Sequence, residues 1–171
     1  ISATEPSIEN LLPVIDYSNP LFITQGNPDL VPTLNHRVGV WFNHSWPADA
    51  IRINLSTNYT YFEDQIIMKQ DVDENLVTTS QPINYSGGNQ IWNNAGVSFP
   101  IVRNKIKMRT SFGYSGGKSF AFVNDILNKT KTFRWSPGIN IDFTPTQKTA
   151  IYLSSNMSFS STEYDINTTQ N

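Results

Sequence analysis

The sequence predicts an all-β fold, an antiparallel up-and-down meander of long strands. From Leu34 onward, apolar and polar residues alternate with a period of two, the spacing of a strand with one apolar and one polar face. Helical periodicity is nearly absent, and the best helix candidate is the short segment 8–12, which Pro13 stops.

One aromatic residue precedes each of three short turns, and all three aromatics fall on the apolar face: Trp46 before 47–50, Phe99 before 100–104 and Phe143 before 144–147. The apolar belt of a membrane-spanning β-barrel ends at the headgroup layer, where such rings are favoured. We therefore predict that the sheet is part of, or a small curled version of, a transmembrane β-barrel. The three rings are the predicted membrane-interface aromatics.

Three regions are predicted along the chain. Residues 1–33 contain five prolines, which exclude long regular elements, so this segment is predicted to be an ordered loop. Residues 34–164 are predicted to form about six long strands, and residues 165–171 a loop or tail.

The connections between the strands alternate in length. Short turns lie at one end, and longer polar segments near 63–80 and 115–131 lie at the other. Short periplasmic turns and long outside loops are typical of outer-membrane barrels. In this arrangement residues 76–99 form one descending strand kinked at Gly87-Gly88, whereas the alternative divides them into two strands.

Charged side chains fall almost entirely on the polar face of the predicted strands. Because a charge facing lipid at mid-depth costs about 2–4 kcal/mol, this face is predicted to line a water-filled lumen. His36 and His44 have the opposite parity and are expected near the membrane boundaries. The charged residues of the polar face are Arg37, Arg52, Lys105, Lys107, Arg109, Arg134, Asp142 and Lys148.

Composition excludes several classes of protein. Only 15% of the 171 residues are charged and the net charge is -2, so no basic excess indicates a nucleic-acid partner. The chain has no cysteine, which excludes disulfides and thiolate metal sites, and no cofactor or metal is expected. No apolar run is long enough for a transmembrane helix.

Two motifs resemble functional motifs but lack the neighbouring residues that those motifs require. No enzymatic activity and no catalytic residue are therefore predicted. Gly113-Tyr114-Ser115-Gly116-Gly117 matches a nucleophile elbow, but strand residues follow it and both histidines precede it. Asp71, Asp73 and Asn75 begin like a calcium loop, which then lacks the required Gly and Glu. The predicted identity of this segment is a solvated acidic loop.

Six residues are candidate solute contacts. Lys105, Lys107 and Arg109 form a basic stripe that either attracts an anionic solute or is balanced by carboxylates of a plug or of loops outside this chain. Tyr114, Phe120 and Phe122 lie near the predicted outer loops, where they either stack on a sugar ring or other flat ligand, or belong to an upper aromatic girdle.

The first region resembles a recurring stretch of a bacterial family. Residues 6–21, Pro-Ser-Ile-Glu-Asn-Leu-Leu-Pro-Val-Ile-Asp-Tyr-Ser-Asn-Pro-Leu, are followed by Gly-Asn-Pro-Asp-Leu-Val-Pro at 26–32. This pattern is similar to the TonB-dependent-receptor-like outer-membrane β-barrel family of Gram-negative bacteria. Thr33 departs from it, because the family commonly has an acidic residue there.

The resemblance implies a non-catalytic receptor or transporter in the bacterial outer membrane that takes up a solute or nutrient. Six strands are fewer than the roughly eight of the smallest common barrels, so we expect an excised piece whose partners are the remainder of the barrel, its plug and a small solute or glycan. The alternative is a soluble all-β surface binding or adhesin module.

Outside lipid, the apolar face of such a piece needs cover. We expect the sheet to curl inward around six residues of that face: Val38, Ile53, Val97, Met108, Ile139 and Leu153.

Overall fold

A computed structural model describes residues 1–167 as one sheet with a single short helix. In the described part of the chain, no helix is long and apolar enough to cross a membrane. The elements are β1 (Ser2–Thr4), α1 (Ile8–Leu11), β2 (Ile15–Asn19), β3 (Phe22–Gln25), β4 (Thr33–Trp46), β5 (Ile51–Glu63), β6 (Gln65–Val72), β7 (Thr78–Tyr85), β8 (Gly88–Val102), β9 (Ile106–Val123), β10 (Ile126–Thr146), β11 (Thr149–Asn156) and β12 (Phe159–Asn167).

The long strands form the predicted antiparallel meander. β4, β5, β8, β9 and β10 pair in that order, each with the next. β11 and β12 pair one after the other with the far edge of β10, so that together they make the sixth strand. The all-β, up-and-down prediction is therefore confirmed.

A single bent hairpin connects β5 to β8. Its register continues from Phe62↔Gly88 in the lower half to Gln65↔Tyr85 in the upper half without a slip. The bend occurs where Asp64 (φ 52°) and Gly87 (φ 113°) adopt left-handed backbone conformations. The predicted kink is present, and it divides the segment into β7 and β8.

The outer ends of the strands differ from the sequence prediction. Residues 115–131 were predicted as a long polar segment, yet β9 and β10 pair up to Val123↔Ile126. Asn124 and Asp125 both have positive φ, 50° and 62°, as a two-residue hairpin turn requires. The segment 63–80 is likewise mostly strand, with only a short loop between Val72 and Thr78.

The tip of the bent hairpin crosses over to the end of β9. Lys69 and Phe122 are paired in a short parallel contact, and the Lys69 Nζ lies 2.6 Å from the Asp125 carboxylate. The hydrogen bond with Asp125 raises the pKa of Lys69 above its usual 10.5. The Tyr85 ring packs edge-on against Phe120 and Phe122, at centroid distances of 4.8 and 5.4 Å.

Residues 1–33, predicted to be an ordered loop, contain short elements of their own. β1 pairs with the start of β4, β2 and β3 form a hairpin, and β3 adds to β7 in parallel. Ser7 accepts a hydrogen bond from the backbone N–H of Asn10 and so caps α1. The Asp16 carboxylate accepts from the Ser18 hydroxyl and N–H, which lowers the pKa of Asp16 and shapes the β2–β3 turn.

The Gly-Asn-Pro segment at 26–28 fastens this region to the bent hairpin. A Cβ on Gly26 would lie 2.1 Å from the backbone oxygen of Leu12, so only glycine permits this approach. The Asn27 N–H donates to the Asn10 oxygen at 2.6 Å, and its side chain donates to the Pro82 oxygen at 3.1 Å. This glycine and asparagine therefore hold a fixed contact between distant parts of the chain.

The buried apolar side chains of the described residues lie beneath this contact. Leu30 and Ile67 are less than a tenth exposed, as is the Thr33 side chain, which donates to the Asp64 oxygen. Asn84 accepts from the Val31 N–H at 2.9 Å and donates to the Val31 and Asp64 oxygens at 2.9 and 2.6 Å. This outer region is the only compact core in residues 1–165.

The meander itself has no inward-curled core. Val38 is 68% exposed and Leu153 65%, and Val97 and Ile139 are also exposed, so the expected inward curl is wrong. One layer of sheet has nothing within the described residues to cover its apolar face. At the other end of the chain, residues 165–167 continue β12 rather than beginning a tail, and residues 168–171 of that prediction lie outside the described residues.

Replacing Asn84 by alanine tests the contact between residues 1–33 and the bent hairpin. It leaves the Val31 N–H and two backbone oxygens without their partner, so we expect the local opening free energy to fall by about 1–3 kcal/mol. Hydrogen exchange of residues 22–33 in the folded, detergent-bound protein measures this. Asn75→Ala is the control, because its side chain makes no hydrogen bond within the described residues; equal exchange in both variants would contradict the assignment.

Candidate solute site on the polar face

Cross-strand pairing keeps the apolar residues in phase across all six strands. The rows of neighbours on this face run from β4 to β12 in the outer half and to β11 in the inner half. The register shifts only at the inner turns, between Pro100 and Val102 and between Phe143 and Thr146. Two successive rows are Val38–Tyr59–Ile91–Gly116–Phe133–Ser161 and Val40–Thr57–Asn93–Tyr114–Trp135–Phe159. The side chains of Thr57 and Asn93 are hydrogen-bonded to each other, which satisfies two polar groups in an otherwise apolar band.

Charged residues replace apolar ones at the outer limit of this face. The row above Val38 contains two lysines, a glutamate and a histidine: His36–Tyr61–Asn89–Lys118–Lys131–Glu163. His36 Nε2 lies 2.7 Å from a Glu63 carboxylate oxygen. His36 thus lies at the outer limit of the apolar face, and its position near a membrane boundary stays a prediction.

The inner limit carries the three predicted aromatics. Trp46 ends β4 with its ring 4.2 Å from that of His44, while Phe99 pairs with Met108 and Phe143 with Ile106. All three rings lie on the apolar face near the inner turns; their contact with the membrane interface stays a prediction. From Val38 to Trp46 is eight residues, or about 27 Å along a strand, which a tilt of roughly 40° reduces to about 20 Å.

The polar face of the six strands is strongly basic. Five basic residues and one acidic residue share it: Arg37, Arg52, Lys107, Arg109, Arg134 and Asp142. Arg109 lies 2.7 Å from Asp142, the cross-strand partner of Lys107. No carboxylate of the described residues lies within ion-pair distance of Arg37, Arg52 or Arg134.

Three adjoining hollows on the polar face share one side chain, Trp92. The largest, about 430 Å³, also contacts Phe62, Gln90 and Arg134, and glycines 116 and 117 leave part of its floor without side chains. A second hollow of about 260 Å³ contacts Arg37 and Asn58, and a third of about 400 Å³ contacts Asn94 and Ser136. Trp92 is 49% exposed among these polar neighbours.

The six predicted solute contacts do not form one site. Lys105 lies in the β8–β9 turn, and its backbone oxygen accepts from Thr144. Lys107 and Arg109 lie on the polar face close to that turn, where Asp142 balances part of their charge. The carboxylates that balance these cations were expected from outside the chain, but one of them, Asp142, belongs to the neighbouring strand β10.

The other three candidates lie on the opposite face from these cations. Tyr114 pairs with Trp135 on the apolar face, which favours the girdle over solute contact. Phe120 and Phe122 lie beyond the charged outer row, where the Tyr85 ring covers them. These positions separate all three rings from the basic residues of the polar face.

The sequence analysis did not identify Trp92 as a candidate solute contact. The alternation of residues could have identified it, because Trp92 occupies the same face of β8 as the polar residues Gln90 and Asn94. A tryptophan on a polar face contradicts the alternation, and such contradictions are expected at functional positions.

Neither chemical motif acquires a catalytic or metal-binding context. Ser115 of the elbow-like motif lies within the regular strand β9. The Asp73 carboxylate accepts from the N–H groups of Asn75 and Val77 and so closes the β6–β7 loop. Among the described residues, no group of three potential ligands is placed to hold a metal ion.

Residues 3–171 match the Outer membrane protein beta-barrel family. The chain belongs to this family. No curated protein and no solved structure matches this chain.

Family membership locates the protein in the bacterial outer membrane. In an outer-membrane barrel the apolar face contacts lipid and the polar face lines the lumen. We therefore expect lipid to cover the apolar face and the unbalanced arginines to face water. On this expectation the hollows around Trp92 lie on the face that lines the lumen.

Arginine substitutions at adjacent positions of β5 test these two faces. Leu55→Arg places a charge in the middle of the apolar face, and we expect a loss of about 2–4 kcal/mol in insertion stability. Ser56→Arg faces the lumen and is expected to be nearly neutral. The folded fraction of the full-length protein in lipid vesicles, read from heat-modifiable gel mobility, measures both; an equal loss in the two variants would contradict the assigned faces.

Proposed function

We propose that this chain is one sector of a larger, non-catalytic outer-membrane receptor barrel that takes up a solute. The observation that carries the proposal is the single two-faced sheet with a basic, hollowed polar face. A structural anchor needs only the apolar face, whereas a solute pathway also needs a wall that attracts and contacts the solute.

Unpaired strand edges support the larger barrel. Beyond Asn35, the outer edge of β4 has no strand partner among the described residues, and neither does the far edge of β11 and β12. Exposed backbone edges are not tolerated in the hydrocarbon region, because unpaired N–H and C=O groups have no water to bind there. Further strands are the partners that close this barrel.

The finer assignment to a TonB-dependent-receptor-like protein rests on the motif of residues 6–32. In this chain the motif holds α1, the β2–β3 turn and the contact between Asn27 and the Pro82 backbone. A receptor of this kind has a plug inside the barrel and couples uptake to the proton-motive force. The plug is a further proposed partner of the polar face.

Thiol labelling of the full-length receptor in intact cells tests this proposal, since the described chain has no cysteine of its own. Asn94→Cys faces the lumen and Ala95→Cys, its neighbour, faces lipid. We expect a small water-soluble maleimide added outside to label the first variant and not the second.

Repeating the thiol labelling with an uncoupler, which collapses the proton-motive force, tests energy coupling. If the plug moves in response to the proton-motive force, collapsing that force changes the labelling rate of Asn94→Cys. A labelling rate that is the same with and without the uncoupler would contradict TonB-type coupling. Absence of labelling at Asn94→Cys by the reagent added outside would contradict an uptake pathway.

A further inference from the structure

We propose that Trp92, with Arg37 on one side and Arg134 on the other, binds an anionic, ring-shaped solute within the barrel. This inference rests on the proposed function, because it requires the polar face to line a water-filled pathway. The solute class is defined by two features: a flat ring face and an adjoining carboxylate, sulfate or phosphate.

Strand pairing puts the three side chains within reach of one small molecule. Trp92 and Arg134 belong to one row of the polar face and are separated by β9, so their Cα atoms are about 10 Å apart. Arg37 belongs to the next row, two strands away on the opposite side of Trp92. Trp92 therefore lies between two guanidinium groups, each of which lines a hollow that it shares.

The ring of Trp92 has open space beside it. Its cross-strand neighbour on β9 is Ser115, and the flanking polar-face positions are Gly113 and Gly117. These small residues provide no side chain to cover the indole, which is half exposed. An uncovered indole is a surface on which a sugar or aromatic ring stacks.

The charge of the site selects an anion. Neither Arg37 nor Arg134 has a carboxylate partner in the described residues, whereas Arg109, lower on the same face, does. A guanidinium group recognises carboxylate, sulfate and phosphate through paired hydrogen bonds. The polar side chains of Gln90, Asn58 and Asn94, which line the same hollows, are suited to hydroxyl groups of the solute.

A permanent protein contact, such as a plug segment, fits the site less well. Such interfaces have an apolar core in which several side chains pack together. The polar-face residues that line these hollows with Trp92 are mostly glycine, serine, asparagine, glutamine and arginine, and Phe62 is the one other aromatic residue of that face in the largest hollow, so no group of apolar side chains packs there. The hollows, from about 260 to 430 Å³, are of the size that small molecules occupy.

Calorimetric titration of the full-length protein in detergent tests the site. The probes are trigalacturonate, its methyl ester, which keeps the rings and removes the charge, and 4-hydroxybenzoate as an aromatic acid. We expect wild-type protein to bind at least one acid, and to bind the ester about tenfold more weakly than trigalacturonate if the sugar acid is bound. The two acids distinguish a saccharide from an aromatic solute.

Variants of Trp92 and Arg134 assign the binding. Trp92→Ala and Arg134→Gln are each expected to weaken binding of the acid about tenfold, and Trp92→Phe to restore most of it because a ring remains. Trp41→Phe and Arg52→Gln are matched controls on the same face that line none of the three hollows, and they are expected to bind as the wild type does.

Several results would overturn the proposal: binding of neither acid, equal binding of trigalacturonate and its ester, or unchanged binding in Trp92→Ala and Arg134→Gln. If Trp92→Ala instead releases a plug to protease without affecting any probe, the side chain is a protein contact. Labelling of Asn94→Cys from outside the cell distinguishes failure of the uptake pathway from failure of the Trp92 site. Failure of that labelling counts against the uptake pathway, whereas failed binding in a labelled protein counts only against this site.

Discussion

A common register across the six strands, kept from the charged outer row to the inner aromatics, is the constraint on which the rest of the structure depends. Successive side chains of a strand point to opposite faces, so a slip of one residue at any interface would exchange lipid-facing and lumen-facing groups. The pairing from His36↔Tyr61 to Lys131↔Glu163 avoids this at all five interfaces. It keeps five basic residues of the polar face together and out of lipid, where each would cost about 2–4 kcal/mol at mid-depth.

Beyond the charged outer row, lipid no longer imposes this pattern, and the architecture changes there. The strands continue, but β6 pairs with β7 and β9, whereas β5 pairs with β8, and β3 pairs with β7. Backbone-directed contacts of Asn27 and Asn84 hold this region together. The motif in residues 6–32 thus has a structural explanation that is independent of any solute.

Sequence alternation predicted the meander because lipid and lumen require two faces between His36 and Trp46. It failed at 115–131, where charged residues, Lys118 and Lys131, interrupt the apolar face and the strands nevertheless continue. The turn signal was nevertheless present in Asn124-Asp125. Only three-dimensional pairing shows that Lys107 faces Asp142, and that Trp92 is flanked by arginines from two other strands, because those neighbours are far apart in sequence.

Spin-label accessibility along residues 52–62 of β5, in the full-length protein in lipid vesicles, tests the central claim most directly. The account predicts a period of two, with oxygen contact highest at odd positions such as Leu55 and Tyr59, and contact with a water-soluble nickel complex highest at Ser56 and Asn58. A uniform profile, or the same period with oxygen contact highest at even positions, would contradict it.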